Sequence, residues 1–76
     1  MESMIGKDVF VSQDLTMAGR VDIKTSYGVL QAVQGNMLVV AVRSFRLNSV
    51  NVPLEGPQLI WFNTLSSSFR EVGYSI

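Results

Sequence analysis

The segment from Val29 to Val42 constrains the fold more than any other part of the sequence. Two β-prone runs, 29–34 and 37–42, flank the dipeptide Gly35-Asn36. Glycine at the first central position of a two-residue loop favours a type II′ hairpin, because that position requires a positive φ. The second run is apolar at every position, which predicts a strand covered on both faces. We therefore expect this hairpin to lie inside a sheet rather than at its edge.

The composition excludes the commonest catalytic and metal-binding arrangements. The 76 residues contain neither cysteine nor histidine, so disulfides, thiolate metal sites and histidine-dependent nucleophilic mechanisms are impossible within them. The six carboxylates are scattered, and no two of them have a spacing diagnostic of paired acid–base catalysis. We therefore expect a protein that is not an enzyme and that holds no metal or cofactor.

The charge balance favours protein binding over nucleic-acid binding. Six basic and six acidic residues cancel, and charged residues make up 16% of the sequence, against about 25% in a typical domain. Nucleic-acid binders are usually strongly basic. The 47% hydrophobic content predicts apolar surface covered by a neighbouring domain, a protein partner or a second subunit. No apolar run approaches the roughly 20 residues of a membrane span, and no secretory signal is evident, so we expect a cytoplasmic protein.

Alternation and turn residues predict five or six strands in a single domain, residues 1–76. The β-prone runs from which these strands form are 5–11, 20–24, the two runs of the central hairpin, 50–52, 58–63 and 69–76. Polar turns or loops are expected at 12–14, 43–49, 54–57 and 64–68, with a bend or bulge at 25–26. Val21 and Ile23 are expected to face the core. So small an antiparallel sheet hides its edges by curling, which predicts an all-β barrel of the SH3-like or split type. The last strand is expected either to pair with the first or to lead into another domain.

This order of elements resembles the N-terminal domain of bacterial flagellar-brake proteins, the YcgR-like or PilZN family. The matching segments are Ile5-Gly6, 35–41, Val52-Pro53-Leu54, Gly56 with 59–62, and 69–76. The resemblance implies a split or SH3-like barrel in a cyclic di-GMP-responsive motility regulator. In that family the nucleotide is bound by a following PilZ domain, through Arg-x-x-x-Arg and Asp/Asn-x-Ser-x-x-Gly motifs. Guanidinium groups of such motifs grip phosphates and guanine edges.

The sequence lacks the first of these nucleotide-binding motifs, since the nearest arginine pair, Arg43 and Arg46, is three residues apart. The stretch from Asp14 to Gly19 fits the second motif with threonine in place of serine. An ordinary polar turn between two strands produces the same pattern. The resemblance therefore implies an accessory domain that does not itself bind cyclic di-GMP.

Two groups of residues are candidates for partner contacts. Trp61 and Phe62 are neighbours in a predicted strand, so one is expected in the core and the other exposed at an interface. Arg43, Phe45 and Arg46 fall in one predicted loop, where two cations and a ring suit phosphate contact and base stacking, although the neutral chain favours a merely solvated loop. The sequence thus predicts a non-catalytic protein-interaction module, with a small nucleic-acid-binding barrel as the alternative.

Overall fold

The computed structural model describes residues 1–75 and contains one sheet of five antiparallel strands, preceded by a 3-10 turn at Glu2–Met4. The strands are β1 (Asp8–Met17), β2 (Arg20–Gln34), β3 (Met37–Leu47), β4 (Val50–Asn63) and β5 (Phe69–Tyr74). Their order in the sheet is β4-β3-β2-β1-β5, so the last strand pairs with the first. The all-β prediction is confirmed. Within residues 1–75 the sheet is not closed, which is compatible with a split barrel, and Ile76 of the predicted last strand lies outside the described residues.

Two-residue turns with left-handed backbone connect the first four strands. Gly35 has a φ of +58° and Asn36 does not have a positive φ, as a type II′ turn requires. Gln34 and Met37 pair directly across this turn, so the predicted central hairpin is confirmed. The other two turns have two positive φ values each, the pattern of a type I′ turn, at Ala18-Gly19 and Asn48-Ser49.

The hydrophobic core lies on one face of the sheet, which we call the core face. Its buried side chains are Val9, Val11, Leu30, Leu38, Val40, Val42 and Phe62. Met4 from the N-terminal turn and Leu54 from β4 pack against this cluster. Strand β3 lies between β2 and β4, and Val39 on its opposite face is also buried. The prediction of an inner strand is therefore confirmed, but the prediction of cover on both faces holds on the outer side only at Val39, since Met37 and Ala41 are partly buried.

The turn predicted at Ser12–Asp14 is wrong, because these residues lie within β1. They continue the antiparallel pairing with β2 without interruption. The buried Ser12 hydroxyl is within hydrogen-bond distance of the Thr25 hydroxyl, at 3.1 Å. A polar residue in a strand is tolerated when its side chain finds a polar partner. The local abundance of polar residues was therefore a misleading sign of a turn.

The loop predicted at 43–49 is also wrong. Residues 43–47 belong to β3, residues 44–47 pair with both neighbouring strands, and only Asn48 and Ser49 form a turn. The pairing of β3 with β4 shifts between Val42 and Ser44. The four residues 54–57, predicted as a turn, lie within β4 at this irregularity. A register shift inside long strands, rather than a loop, accommodates these residues.

The orientation predicted for Val21 and Ile23 is wrong, since both side chains are exposed. Strand β2 places the buried Ser26 on the core face. Because successive side chains alternate between faces, the odd-numbered residues 21 and 23 lie on the opposite face. The irregularity predicted at 25–26 lies two residues later, where the pairing with β3 shifts between Tyr27 and Gly28.

Candidate protein-interaction surface

The face of the sheet opposite the core, which we call the outer face, carries apolar side chains on neighbouring strands. Trp61 of β4 lies opposite Val39 of β3. Leu59 of β4 lies opposite Ala41 of β3, which in turn lies opposite Val29 of β2. Directly opposed residues have Cβ atoms about 4.5–5.5 Å apart. These side chains therefore form adjoining apolar contacts across three strands.

The apolar surface continues to the other end of the sheet through two aromatic residues. Phe10 of β1 lies opposite Tyr27 of β2, and both are partly buried. The Phe10 ring covers Gly73 of β5, where a Cβ would lie only 2.6 Å from a ring carbon. We call the whole set the outer row. It comprises Phe10, Tyr27, Val29, Val39, Ala41, Leu59 and Trp61.

Exposure within the outer row is greatest on β4. Val39 is 6% exposed, whereas Trp61 is 54% and Leu59 is 66% exposed. Phe62 is buried in the core at 3%, so the prediction that one member of the Trp61-Phe62 pair fills the core and the other is exposed is confirmed. Adjacent exposed apolar side chains on one face are typical of protein contacts.

Sequence reasoning did not single out Leu59 as a contact residue. The available signal was its spacing of two from Trp61, which places both side chains on the same face of a strand. That signal becomes useful only once Phe62 is known to be the core residue. The structure therefore adds Leu59 to the candidate surface and assigns Phe62 to the core.

An ion pair crosses the outer face beside the outer row. Arg43 Nη1 of β3 donates to Asp8 Oδ1 of β1 at 2.6 Å, and both side chains are about half exposed. Asp8 lies opposite Val29 on the intervening strand, so the pair bridges β1 and β3 over β2. Exposed pairs of this kind contribute about 0–1 kcal/mol to stability. The pair's main consequence is that Arg43 is directed towards Asp8.

The predicted cluster of Arg43, Phe45 and Arg46 does not form. Phe45 lies opposite the buried Ser26, and Lys24 Nζ lies 4.6 Å from the centroid of its ring. Arg46 follows Phe45 within β3, so its side chain lies on the other face of the sheet. Neither arginine therefore lies on the same face of the sheet as the Phe45 ring. The three side chains cannot contact a phosphate and stack on its base together, as the sequence suggested.

The stretch from Asp14 to Gly19 is a strand end followed by a tight turn. Residues 14–17 belong to β1, and only Ala18 and Gly19 form the turn. Arg70 Nη1 of β5 donates to Asp14 Oδ1 at 3.0 Å. The predicted polar turn is therefore right only at its last two residues, and its acidic residue already has a cationic partner.

The described residues 1–75 contain no group of three histidine, cysteine, aspartate or glutamate side chains that could hold a metal ion. The helical part of this range is limited to three residues and offers no helix that could cross a bilayer. No family model, curated protein or solved structure matches the chain. The outer row is therefore the feature of this chain that bears on its function.

Proposed function

We propose that this protein is a non-catalytic interaction module that docks a partner protein on the outer row. The observation that supports this proposal is the pair of exposed side chains Trp61 and Leu59, which lie on one face of β4 next to the buried Val39. Covering exposed apolar surface contributes roughly 25 cal/mol per Å². Tryptophan supplies a large apolar area and is one of the residue types enriched among the side chains that dominate binding energy in protein interfaces.

The surroundings of this pair match the anatomy of a protein interface. The apolar centre continues to Ala41 and Val29, which are partly buried. Polar groups flank it, in the form of the Arg43–Asp8 ion pair. An apolar centre with a polar rim is the usual arrangement in specific complexes. We expect truncation of the tryptophan to weaken partner binding by at least about 2 kcal/mol, which is roughly 30-fold in Kd.

The resemblance to PilZN domains supports a more specific proposal. The module would act in a bacterial, cytoplasmic, cyclic di-GMP-responsive motility regulator, where it docks a neighbouring domain, a partner protein or a second copy. It would not bind the nucleotide itself, because the sequence lacks the Arg-x-x-x-Arg motif. Titration calorimetry with cyclic di-GMP is expected to give no heat of binding. Saturable heat with a defined stoichiometry would overturn this part of the proposal.

Site-specific photo-cross-linking in the producing cells tests the docking surface. A benzophenone amino acid replaces Trp61 in one variant and Leu65 in a matched control. Leu65 is 73% exposed but lies in the turn after β4, outside the outer row. We expect a discrete adduct from position 61 and none from position 65. No adduct at position 61, or the same adducts at both positions, would contradict the proposal.

A further inference from the structure

The edges of the sheet differ in their protection against pairing with another strand. Strand β5 is short and carries Arg70 and Glu71, and residues 50–57 of β4 contain two prolines and Glu55. Charges, prolines and short length are the features that keep edge strands from pairing. Residues 58–63 of β4, which we call the bare edge, contain no charge and no proline. They consist of one amide residue at each end and four apolar residues between them.

The bare edge has unused backbone hydrogen-bonding capacity. Its residues pair with β3 on one side, and β4 is the last strand of the sheet on the other. Within residues 1–75, residues 58–62 make no further backbone hydrogen bond to a turn or loop. Along an antiparallel strand, alternate residues direct their N–H and C=O groups away from the existing partner. About half of the bare edge therefore presents donors and acceptors outwards.

We propose that the bare edge pairs antiparallel with the bare edge of a second copy, so that two five-stranded sheets become one continuous sheet. The segment is uncharged, so pairing with itself brings no like charges together. An antiparallel pairing of identical strands has two-fold symmetry and closes as a dimer. The protective residues on β5 and on 50–57 make these other edges poorer partners.

The exposed side chains favour one register for this pairing. With Ile60 opposite Ile60 of the second copy, Leu59 falls opposite Trp61 of the second copy, and the symmetry repeats that contact. Each exposed apolar side chain then covers the other, a pairing of aromatic and aliphatic residues that stabilises sheets. Centring the pair on Trp61 instead would place the two Trp61 side chains opposite each other but would leave each Leu59 opposite Asn63, an apolar residue against an amide. Only the first register gives all four exposed apolar side chains an apolar partner.

The dimer is expected to be weak and to leave most of the outer row open. Six residues per copy form a small contact compared with standard interfaces of about 1,200–2,000 Å², so a Kd in the micromolar to millimolar range is expected. Because backbone groups at the edge make the contact, the outer rows of both copies lie on the same side of the joined sheet. The two contacts share Leu59 and Trp61 but are of different kinds, since the dimer joins two strand edges and the proposed partner docks on the outer row.

Disulfide cross-linking tests the dimer and its register, and the cysteine-free sequence makes single-cysteine variants unambiguous. The variants Leu59→Cys and Trp61→Cys are mixed under mild oxidation, one of them carrying a mass tag. In the proposed register these positions are directly opposite, with Cα atoms about 4.5–5.5 Å apart, within the disulfide range. Positions 59 and 59, or 61 and 61, are diagonal neighbours about 7–8 Å apart. We therefore expect mixed disulfides to form at least tenfold faster than disulfides within either variant alone.

Other cross-linking patterns would overturn parts of the inference. Rapid linkage of Trp61→Cys to itself would exclude the proposed register. Preferential linkage of Trp61→Cys to Glu71→Cys of β5 would exclude the symmetric dimer in favour of a head-to-tail assembly. No linkage in any combination, together with a light-scattering mass that stays at 8.4 kDa up to millimolar concentration, would overturn the self-pairing altogether.

A lysine substitution provides a second, independent measurement. Leu59→Lys places a charge on the bare edge at a residue that is 66% exposed, so the monomer is expected to fold. Leu65→Lys is the matched control, outside the edge. Sedimentation is expected to show at least a tenfold weaker dimer for Leu59→Lys and no change for Leu65→Lys. Equal dimerisation of both variants would contradict the inference. A monomeric wild-type chain that still gives a discrete adduct with another protein at position 61 would leave the proposed function intact while overturning the dimer.

Discussion

Gly28 of β2 is predicted to be the least replaceable glycine of the sheet. A Cβ at this position would overlap the carbonyl oxygen of Ala41 on β3 and would lie 2.8 Å from the Cα of Val42. These are backbone atoms, so no side-chain rotation can relieve the overlap. The position coincides with the shift in pairing between β2 and β3. Gly28→Ala must therefore displace β3, the strand that supplies Leu38, Val40 and Val42 to the core.

The size of the effect follows from the kind of atoms involved. Inserting a methyl group into a packed site that can relax costs about 1–3 kcal/mol. Because the overlap is with backbone atoms, we expect Gly28→Ala to lower the stability by at least about 3 kcal/mol, the top of that range. A 76-residue chain has a total stability of roughly 4–11 kcal/mol at about 0.05–0.15 kcal/mol per residue. The substitution is therefore expected to lower Tm by about 12–24 °C and leaves a barely folded protein if the wild type is at the lower limit.

Two other glycines provide matched controls for Gly28→Ala. A Cβ at Gly56 would have no atom within 4 Å and the backbone is not left-handed, so Gly56→Ala is expected to stabilise by about 0.4–1 kcal/mol. A Cβ at Gly73 would meet the Phe10 ring at 2.6 Å, and the ring can shift, so an intermediate cost is expected. Urea unfolding, monitored by far-UV circular dichroism, ranks the stabilities of the three variants by their midpoints, provided that their m values are equal. A Gly28→Ala protein within 0.5 kcal/mol of Gly56→Ala, or more stable than Gly73→Ala, would refute the reasoning.

Two further predictions distinguish core from surface residues. Phe62→Ala is expected to lower the free energy of unfolding by about 3–5 kcal/mol because it empties a buried site, whereas Trp61→Ala is expected to lower it by less than about 1 kcal/mol. The two variants are compared by their urea unfolding midpoints, and equal losses of stability would contradict the assignment of faces. A double-mutant cycle on Asp8→Ala and Arg43→Ala is expected to give a coupling below about 1 kcal/mol, decreasing in 1 M salt, where the Debye length is about 3 Å. A larger or salt-independent coupling would show that the pair is effectively buried.

The parts of the fold that depend on neighbouring residues in the sequence were predictable. The Gly35-Asn36 turn depends on the φ of a single glycine, and the apolar run that follows is expected to be an inner strand whatever its neighbours are. The strand 43–47 was not predictable, because residues 44–47 adopt it through simultaneous pairing with β2 and β4. Pairing of this kind is a non-local property, and local polarity indicates a loop when the partners are unknown.

The same distinction applies to the candidate surface. Alternation places Trp61 and Phe62 on opposite faces, but only the register identifies the core residue: Phe62 lies opposite Leu38 on the core face, and Trp61 lies opposite Val39 on the outer face. Shifting the register by one residue would exchange their roles. The sequence therefore predicted which residues to consider, and the pairing of β4 with β3 was needed to decide between them.

Side chains and backbone independently indicate the same short segment as a contact site. The exposed apolar side chains of β4 that belong to the outer row lie at 59 and 61, within the bare edge 58–63. The preceding half of the same strand carries two prolines and an acidic residue, so the strand combines a protected and an unprotected half. An unprotected apolar edge exposed to water favours aggregation. A sequence that protects one half of an edge strand and not the other is expected when a specific partner covers the unprotected half in the assembled protein.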